Sequence, residues 1–408
     1  MKEENQIPEF IVSRDWPFAR ADEEAKGDAV QALVVNHTLI VGQSRSGKTN
    51  AARRIIEEIL VWTDARIVIL DPNADFRSLA KLSGSKDLPD WDRRFAARWK
   101  KIAKHIAVAT SGKAGGIYWG TLTLADMAGY LKLTPTTTFA EYRHLDRHFA
   151  FEMKTKGRIG SLEEFLKSEY FRMAAGEDLE RYKLRVEELS RLKVWAASEQ
   201  TDLNSLFGEN QRAIAVDLSM EDFSTENVQV RMITAARTLE VLWRQGEEQR
   251  KDFLQNGLPW AGTVVVIDEG HLFAPPETED LQQRLVSEKI QRFADQGKKL
   301  NLYLMVVTQQ PGKLHVNVLS EFNNRIIMRV NERGSLTALE RTFGGIPKRY
   351  DGALTFKPGE ALIEGALLCD ETPPAAVPRG IKFEKARTIE GGGTPKPDWA
   401  RPRMPKST

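Results

Sequence analysis

Short apolar runs alternate with longer segments of helical spacing along most of this chain. The runs are LVVNHTLIV (33–41), ARIVILD (65–71), HIAVAT (105–110), AIAVDLS (213–219), TVVVIDEGH (263–271), LYLMVVTQQP (302–311), RIIMRV (325–330) and EALIEGALL (360–368). Several are apolar at consecutive positions, the pattern of strands buried on both faces of a parallel sheet. Between them, NAARRIIEEIL (50–60) and VQVRMITAARTLEVLWRQ (228–245) repeat apolar residues at i, i+3 and i+4, as amphipathic helices do. This alternation predicts an α/β fold with a mainly parallel central sheet.

The rhythm breaks in three places. Residues 1–34 are polar and mixed in charge, with an aromatic cluster at Trp16, Pro17 and Phe18 that reads as a small hydrophobic anchor or as a neighbour of a bound base. From 134 to 210 the chain is rich in Glu, Lys, Arg and Leu, as in SLEEFLKSEYFRMAA and DLERYKLRVEELSRLKVWAA, and Ser161 followed by Glu164 has capping-box spacing. This block is expected to be a helical insertion. After 371, ETPPAAVPRG and GGGTPKPDWARPRMPKST are rich in Pro and Gly, and an extended or disordered tail is expected there, one that could strap a neighbouring subunit. The expected division is therefore 1–34, an N-terminal segment; 35–133 and 211–370, the two parts of one α/β core; 134–210, the insertion; and 371–408, the tail.

Composition changes this picture little. With 408 residues, 41% hydrophobic and 28% charged, the chain fits an ordinary globular protein. A net charge of +2 leaves any nucleic-acid contact to local basic patches. The single cysteine, Cys369, excludes an internal disulfide framework and fits a reducing, cytoplasmic setting. No apolar run approaches the roughly 18 residues that span a bilayer, so no membrane association is expected.

Chemistry enters at GQSRSGKT, Gly42 to Thr49, which fits the phosphate-binding pattern G-x-x-x-x-G-K-[ST] between a strand and a helix. In such a loop Gly42, Gln43, Ser44, Arg45, Ser46, Gly47, Lys48, Thr49 and the following Asn50 would surround the phosphates of ATP. Glycines turn backbone N–H groups inward, and the helix N-terminus adds positive charge. Lys48 would reach the β- and γ-phosphates, and the Thr49 hydroxyl would ligate Mg²⁺. TVVVIDEGH supplies the second half of such a site. Its strand ends in Asp268, a Mg²⁺ ligand, and Glu269, the group that orients and activates the attacking water. LYLMVVTQQP repeats the design, and a strand beside the Asp268 strand would bring Gln309 to the γ-phosphate.

Taken in order, these motifs resemble the HerA/FtsK superfamily of ring-shaped ATPases, and its HerA-like branch. NHTLIVGQSRSGKTN resembles the family's phosphate loop. LDPNADF (70–76) resembles its D-P-x-G-E-Y element, with Ala74 in place of Gly and Asp75 in place of Glu. DEGHLF resembles D-E-A-H-x-F with Gly270 in place of Ala, and VDLS (216–219) and PGEALIEG (358–365) resemble two further strand ends. The resemblance implies a RecA-like P-loop core, ATP hydrolysis with Mg²⁺ and a homo-oligomeric ring, typically a hexamer. It further implies translocation on double-stranded DNA with a nuclease or other effector, in DNA-end processing or anti-phage defence. Conjugation, secretion or packaging ATPases, and an ATP-regulated scaffold, are the alternatives. With 34 residues before the first core strand, the family's N-terminal β-barrel is not expected in this chain. The resemblance also places Arg329 at the γ-phosphate of a neighbouring subunit, with Arg325 as reserve. For DNA contact the densest basic segment is WDRRFAARWKKIAKH (91–105), although it reads better as an amphipathic helix with its basic side in solvent. Lys298, Lys299 and Lys313 are alternatives.

Overall fold

The computed structural model describes residues 11–12, 32–83, 90–110, 116–208, 210–220, 224–344, 346–368 and 378–391. The aromatic cluster at Trp16–Phe18 lies outside them. Ten strands form one sheet: β1 Ile11–Val12, β2 Thr38–Val41, β3 Arg66–Asp71, β4 Ile106–Thr110, β5 Ala213–Asp217, β6 Thr263–Ile267, β7 Leu302–Thr308, β8 Asn324–Met328, β9 Glu360–Glu364 and β10 Arg379–Lys382. Their spatial order is β1-β10-β9-β8-β2-β7-β6-β3-β5-β4. From β8 to β4 every pairing is parallel. β9 runs antiparallel to both β8 and β10.

The consecutive apolar runs are explained by two cores, one on each face of the sheet. Leu39, Val68, Ile214, Val265, Leu304 and Ile327 point to one face. Ile40, Ile67, Ala215, Val266, Met305 and Ile326 point to the other. The helices that cover these faces are α1 Lys48–Trp62, α2 Asp90–Ile102, α3 Phe139–Lys156, α4 Glu177–Ser190, α5 Thr225–Asn256 and α6 Leu281–Gln296. α1 lays Ile55, Ile56 and Ile59 on the second face, fully buried.

Most described residues of 134–210 fall in helices, and their core joins the first face of the sheet through Leu145, Phe165 and Val186. The Ser161 side chain accepts from the Glu164 backbone N–H at 3.2 Å, as the cap spacing predicts. Among the described residues no helix is long and apolar enough to cross a membrane.

The described part of the expected tail, residues 378–391, is extended and built into the core sheet. Residues 379–382 form a strand between β9 and β1, and Ile381 is fully buried there. Composition hides this because Arg379–Lys382 is a four-residue strand beside a Pro-rich stretch. It is held by backbone pairing with β9 and β1, which leaves no apolar pattern in the sequence.

Candidate active site

The phosphate loop leaves the end of β2 and enters α1. Gly47, the residue before α1, has φ 101°, a conformation only glycine adopts without strain. The loop is tied to its neighbours on both sides. Gly42 donates to the Thr308 carbonyl at 3.3 Å, Gln43 to that of Arg329 at 2.8 Å, and Ser46 accepts from Gly359 N–H at 2.8 Å. Ser44 and Arg45 are exposed at the rim, while the Ser46 hydroxyl is buried without a partner. The Lys48 ammonium folds back onto the Gln43 carbonyl at 3.1 Å. Burial lowers its pKa, and Glu269, Asp268 and Asp75 work against that loss.

β7 lies between β2 and β6, so the ends of all three strands converge on this loop. Asp268 follows β6 and is 2% exposed. The Asn73 side chain donates to its Oδ2 at 3.2 Å. Burial, reinforced by Glu269, Asp71 and Asp75, pushes the Asp268 carboxyl up to about 8. Glu269 sits at φ 48°, a left-handed conformation that costs a non-glycine residue about 1–2 kcal/mol. This turn aims the carboxylate at β7, where its Oε1 accepts from the Gln309 amide. Its Oε2 is buried without a hydrogen-bond partner and lies 3.4 Å from His271 Nδ1. Gly270 allows the close approach: a Cβ there would stand 2.4 Å from Val306.

Two further groups complete the site. The β3–α1 side brings Asp75, whose Oδ2 accepts from the Thr49 hydroxyl at 3.4 Å. The Asp71 carboxylate organises that loop, accepting from Asp75 N–H at 3.0 Å and Phe76 N–H at 2.8 Å. Burial pushes its carboxyl up to about 6 despite those bonds. His271 is bridged to Thr308 Oγ1 at 3.1 Å. Sequence reasoning did not place Asn73, Asp75 or His271 in the site. The acid of LDPNADF was the available signal, since it falls where the resembling element also carries a carboxylate.

Three carboxylates, Glu269, Asp268 and Asp75, therefore face one lysine, with Asp71 buried behind them. The Thr49 hydroxyl and Asp268 are the residues here that could hold a divalent cation.

The Asn50 side chain turns away from the phosphate loop. Its amide donates to the Glu384 carbonyl and accepts from Ala386 N–H, both at 2.7 Å. Arg329 lies beside its own chain's loop through the Gln43 bond, and its Nε is buried without a partner. Arg325 is engaged elsewhere, paired with Glu364 and stacked 4.2 Å from the Phe343 ring centroid. In α2 the stripe of Phe95 and Trp99 is buried and stacked at 5.5 Å, and Arg98 lies 4.2 Å over Trp62. Phe95, Trp99 and Arg98 thus serve packing against α1 and the loop before α2. Lys298 and Lys299 precede β7, at the sheet end away from the phosphate loop, whereas Lys313 is exposed just past Gln309.

The model of the family described as "Helicase HerA, central domain" matches residues 28–237, half of the chain. The chain belongs to that family. Among HerA relatives, the DNA double-strand break repair helicase HerA of Pyrococcus furiosus is 24% identical over 393 residues, spanning 89% of this chain and 68% of that protein. The probable DNA double-strand break repair helicase HerA of Methanocaldococcus jannaschii is 24% identical over 179 residues, covering 42% of this chain and 33% of its own length. The fold is similar to VirB4 of Thermoanaerobacter pseudethanolicus, with TM-score 0.57, 16% identity and coverage of 91% of this chain and 92% of that one. It is also similar to the plasmid coupling protein TrwB bound to a non-hydrolysable GTP analogue, with TM-score 0.55, 11% identity and coverage of 89% and 88%. This is the P-loop NTPase fold of the HerA/FtsK type, a mixed α/β sheet with helical insertions.

Proposed function

We propose that this HerA-family ATPase is the motor subunit of a ring, most simply a hexamer, that moves on double-stranded DNA at the expense of ATP. A nuclease or other effector partner, in DNA-end processing or defence, completes the reading. The observation that carries it is the convergence of β2, β6 and β7. Phosphate loop, paired carboxylates and amide meet there, and β7 runs on into the exposed turn that carries Lys313.

Each side chain then has a task. The α1 N-terminus and Lys48 hold the triphosphate. Thr49 and Asp268 would hold Mg²⁺, which supplies positive charge against the charge developing on the phosphate oxygens. Glu269 accepts the proton of the water that attacks the γ-phosphorus, yielding ADP and phosphate. Gln309, now bonded to Glu269, is placed to exchange that bond for one to the γ-phosphate. Its loop would carry the change to Lys313 and to a DNA phosphate. Arg329, whose backbone carbonyl anchors the loop of its own chain, would set its guanidinium on the γ-phosphate bound by the neighbouring subunit.

The test is ATP turnover by the purified protein with and without duplex DNA. A several-fold rise on adding DNA supports the motor reading, and turnover indifferent to DNA contradicts it.

A further inference from the structure

We propose that the C-terminal strap, residues 383–391, is a working part of the ATP site. It positions Asp75 opposite Thr49, on the metal side of the phosphate loop. The inference rests on the ATPase reading above.

The strap leaves β10 and runs along the outer side of α1. It grips Asn50, the residue after Thr49, at both ends of its amide. One helical turn on, Arg53 donates to the Thr388 carbonyl and hydroxyl, and Glu57 accepts from Thr388 N–H at 2.8 Å and from its hydroxyl at 2.9 Å. Arg53, Glu57 and Thr388 are at most 3% exposed, so each depends on the others for its hydrogen bonds. Arg387 donates to Glu58 at 3.0 Å and stacks 4.1 Å from the Phe95 ring. The strap then turns to the loop after β3. Ile389 donates to Lys81 at 2.9 Å, and Gly391 donates to the Asp75 carbonyl at 2.9 Å.

That last bond is what ties the strap to chemistry. Asp75 is pinned from three sides: its N–H by Asp71, its carbonyl by Gly391, its carboxylate by Thr49. The residue before it, Ala74, is held at φ 61°, a strained conformation for alanine that persists only under restraint from its surroundings. Gly391 supplies part of that restraint, packed so closely that a Cβ on it would stand 2.5 Å from the Ala74 carbonyl oxygen. One segment therefore holds both flanks of the ion position: the α1 start that bears Thr49, and the strained loop that bears Asp75. Thr388 and Gly391 are positioning residues, and Asp75 acts through the Thr49 hydroxyl.

The test is Gly391→Ala, which drives a methyl group into the Ala74 carbonyl. Affinity for a fluorescent ADP analogue is measured in EDTA and across a Mg²⁺ titration. The Mg²⁺ concentration for half-maximal tightening rises about tenfold, equivalent to ~1.4 kcal/mol, while affinity in EDTA stays within about twofold. Thr388→Val, which keeps shape and loses the hydroxyl, moves the Mg²⁺ midpoint the same way and decides the matter if Gly391→Ala does not fold. In an Asp75→Asn background Gly391→Ala adds no further shift, as expected of two changes acting on one contact. An unchanged Mg²⁺ midpoint in a folded variant overturns the proposal. So does an equal loss with and without Mg²⁺, which marks support of the fold alone. A wild-type protein that binds no nucleotide defeats the ATPase reading itself. Wild-type binding with indifferent variants defeats only the strap.

Discussion

Glu269→Gln separates chemistry from binding at this site, and the structure says why the swap is clean. The carboxylate Oε1 accepts from Gln309, and a glutamine can present its own carbonyl oxygen there. Its NH₂ then occupies the position of Oε2, which has no hydrogen-bond partner to lose and lies 3.4 Å from the His271 ring nitrogen. The variant also removes the largest neighbouring charge acting on Asp268, so the Asp268 carboxyl falls toward the ordinary range and remains able to hold a cation. What disappears is the base. Loss of a general base costs about 10²–10⁴ in rate, or ~3–5 kcal/mol of barrier, and nothing in the geometry requires a loss of affinity. The assay is steady-state phosphate release beside equilibrium binding of a fluorescent ATP analogue. Turnover reduced at least a hundredfold or so, with affinity within about twofold, is the expected pair of results. Turnover within about twofold of wild type refutes the assignment of Glu269 and moves the base elsewhere.

Three further outcomes follow from particular contacts. Lys48→Ala removes the one cation of the phosphate loop that faces the site carboxylates, so nucleotide binding or hydrolysis is lost; wild-type values for both, measured by the same assays, contradict the loop assignment. Mixing Lys48→Ala with Arg329→Ala subunits, after sizing shows both assemble alike, restores part of the activity, as Arg329 acting across the interface requires; no recovery contradicts that placement. His37 is fully buried, its Nδ1 accepting from Leu304 N–H at 2.9 Å and its Nε2 donating to the Ala294 carbonyl at 3.0 Å. Burial lowers its pKa from 6.5 to about 4, so the unfolded chain takes up the proton first as pH falls. Stability from this group is intact above pH 6.5 or so and declines by about 3 kcal/mol on reaching pH 4 or so. Urea unfolding of wild type and His37→Gln from pH 7 to pH 4 checks this: the gap between them narrows with acidity, and a constant gap contradicts it.

The central sheet and the phosphate loop between β2 and α1 were legible because each rests on local pattern. Strands such as Val264–Ile267 are buried on both faces, so their apolar runs are unbroken. Gly47, Lys48 and Thr49 are adjacent in sequence because one turn must wrap one phosphate group. Asp75 and Asn73 were not legible as site residues. They reach the site through a strained turn at Ala74 and through the pairing of β3 with β6, and neither leaves a periodic trace. The packing of residues 378–391 was not legible for a related reason. β10 and the strap are held by backbone hydrogen bonds and by buried Arg53, Glu57 and Thr388, polar residues that sequence patterning assigns to solvent. Asn50 follows the loop motif directly, yet its amide is taken by that same strap.

The most direct test of the account is displacement of a triplex-forming strand from duplex DNA. The assay reports movement along the duplex rather than binding or turnover. The account predicts displacement that requires ATP and Mg²⁺, is absent with a non-hydrolysable analogue, and is absent in Lys48→Ala and Glu269→Gln. A protein that hydrolyses ATP in the presence of duplex DNA but leaves the triplex strand in place contradicts it.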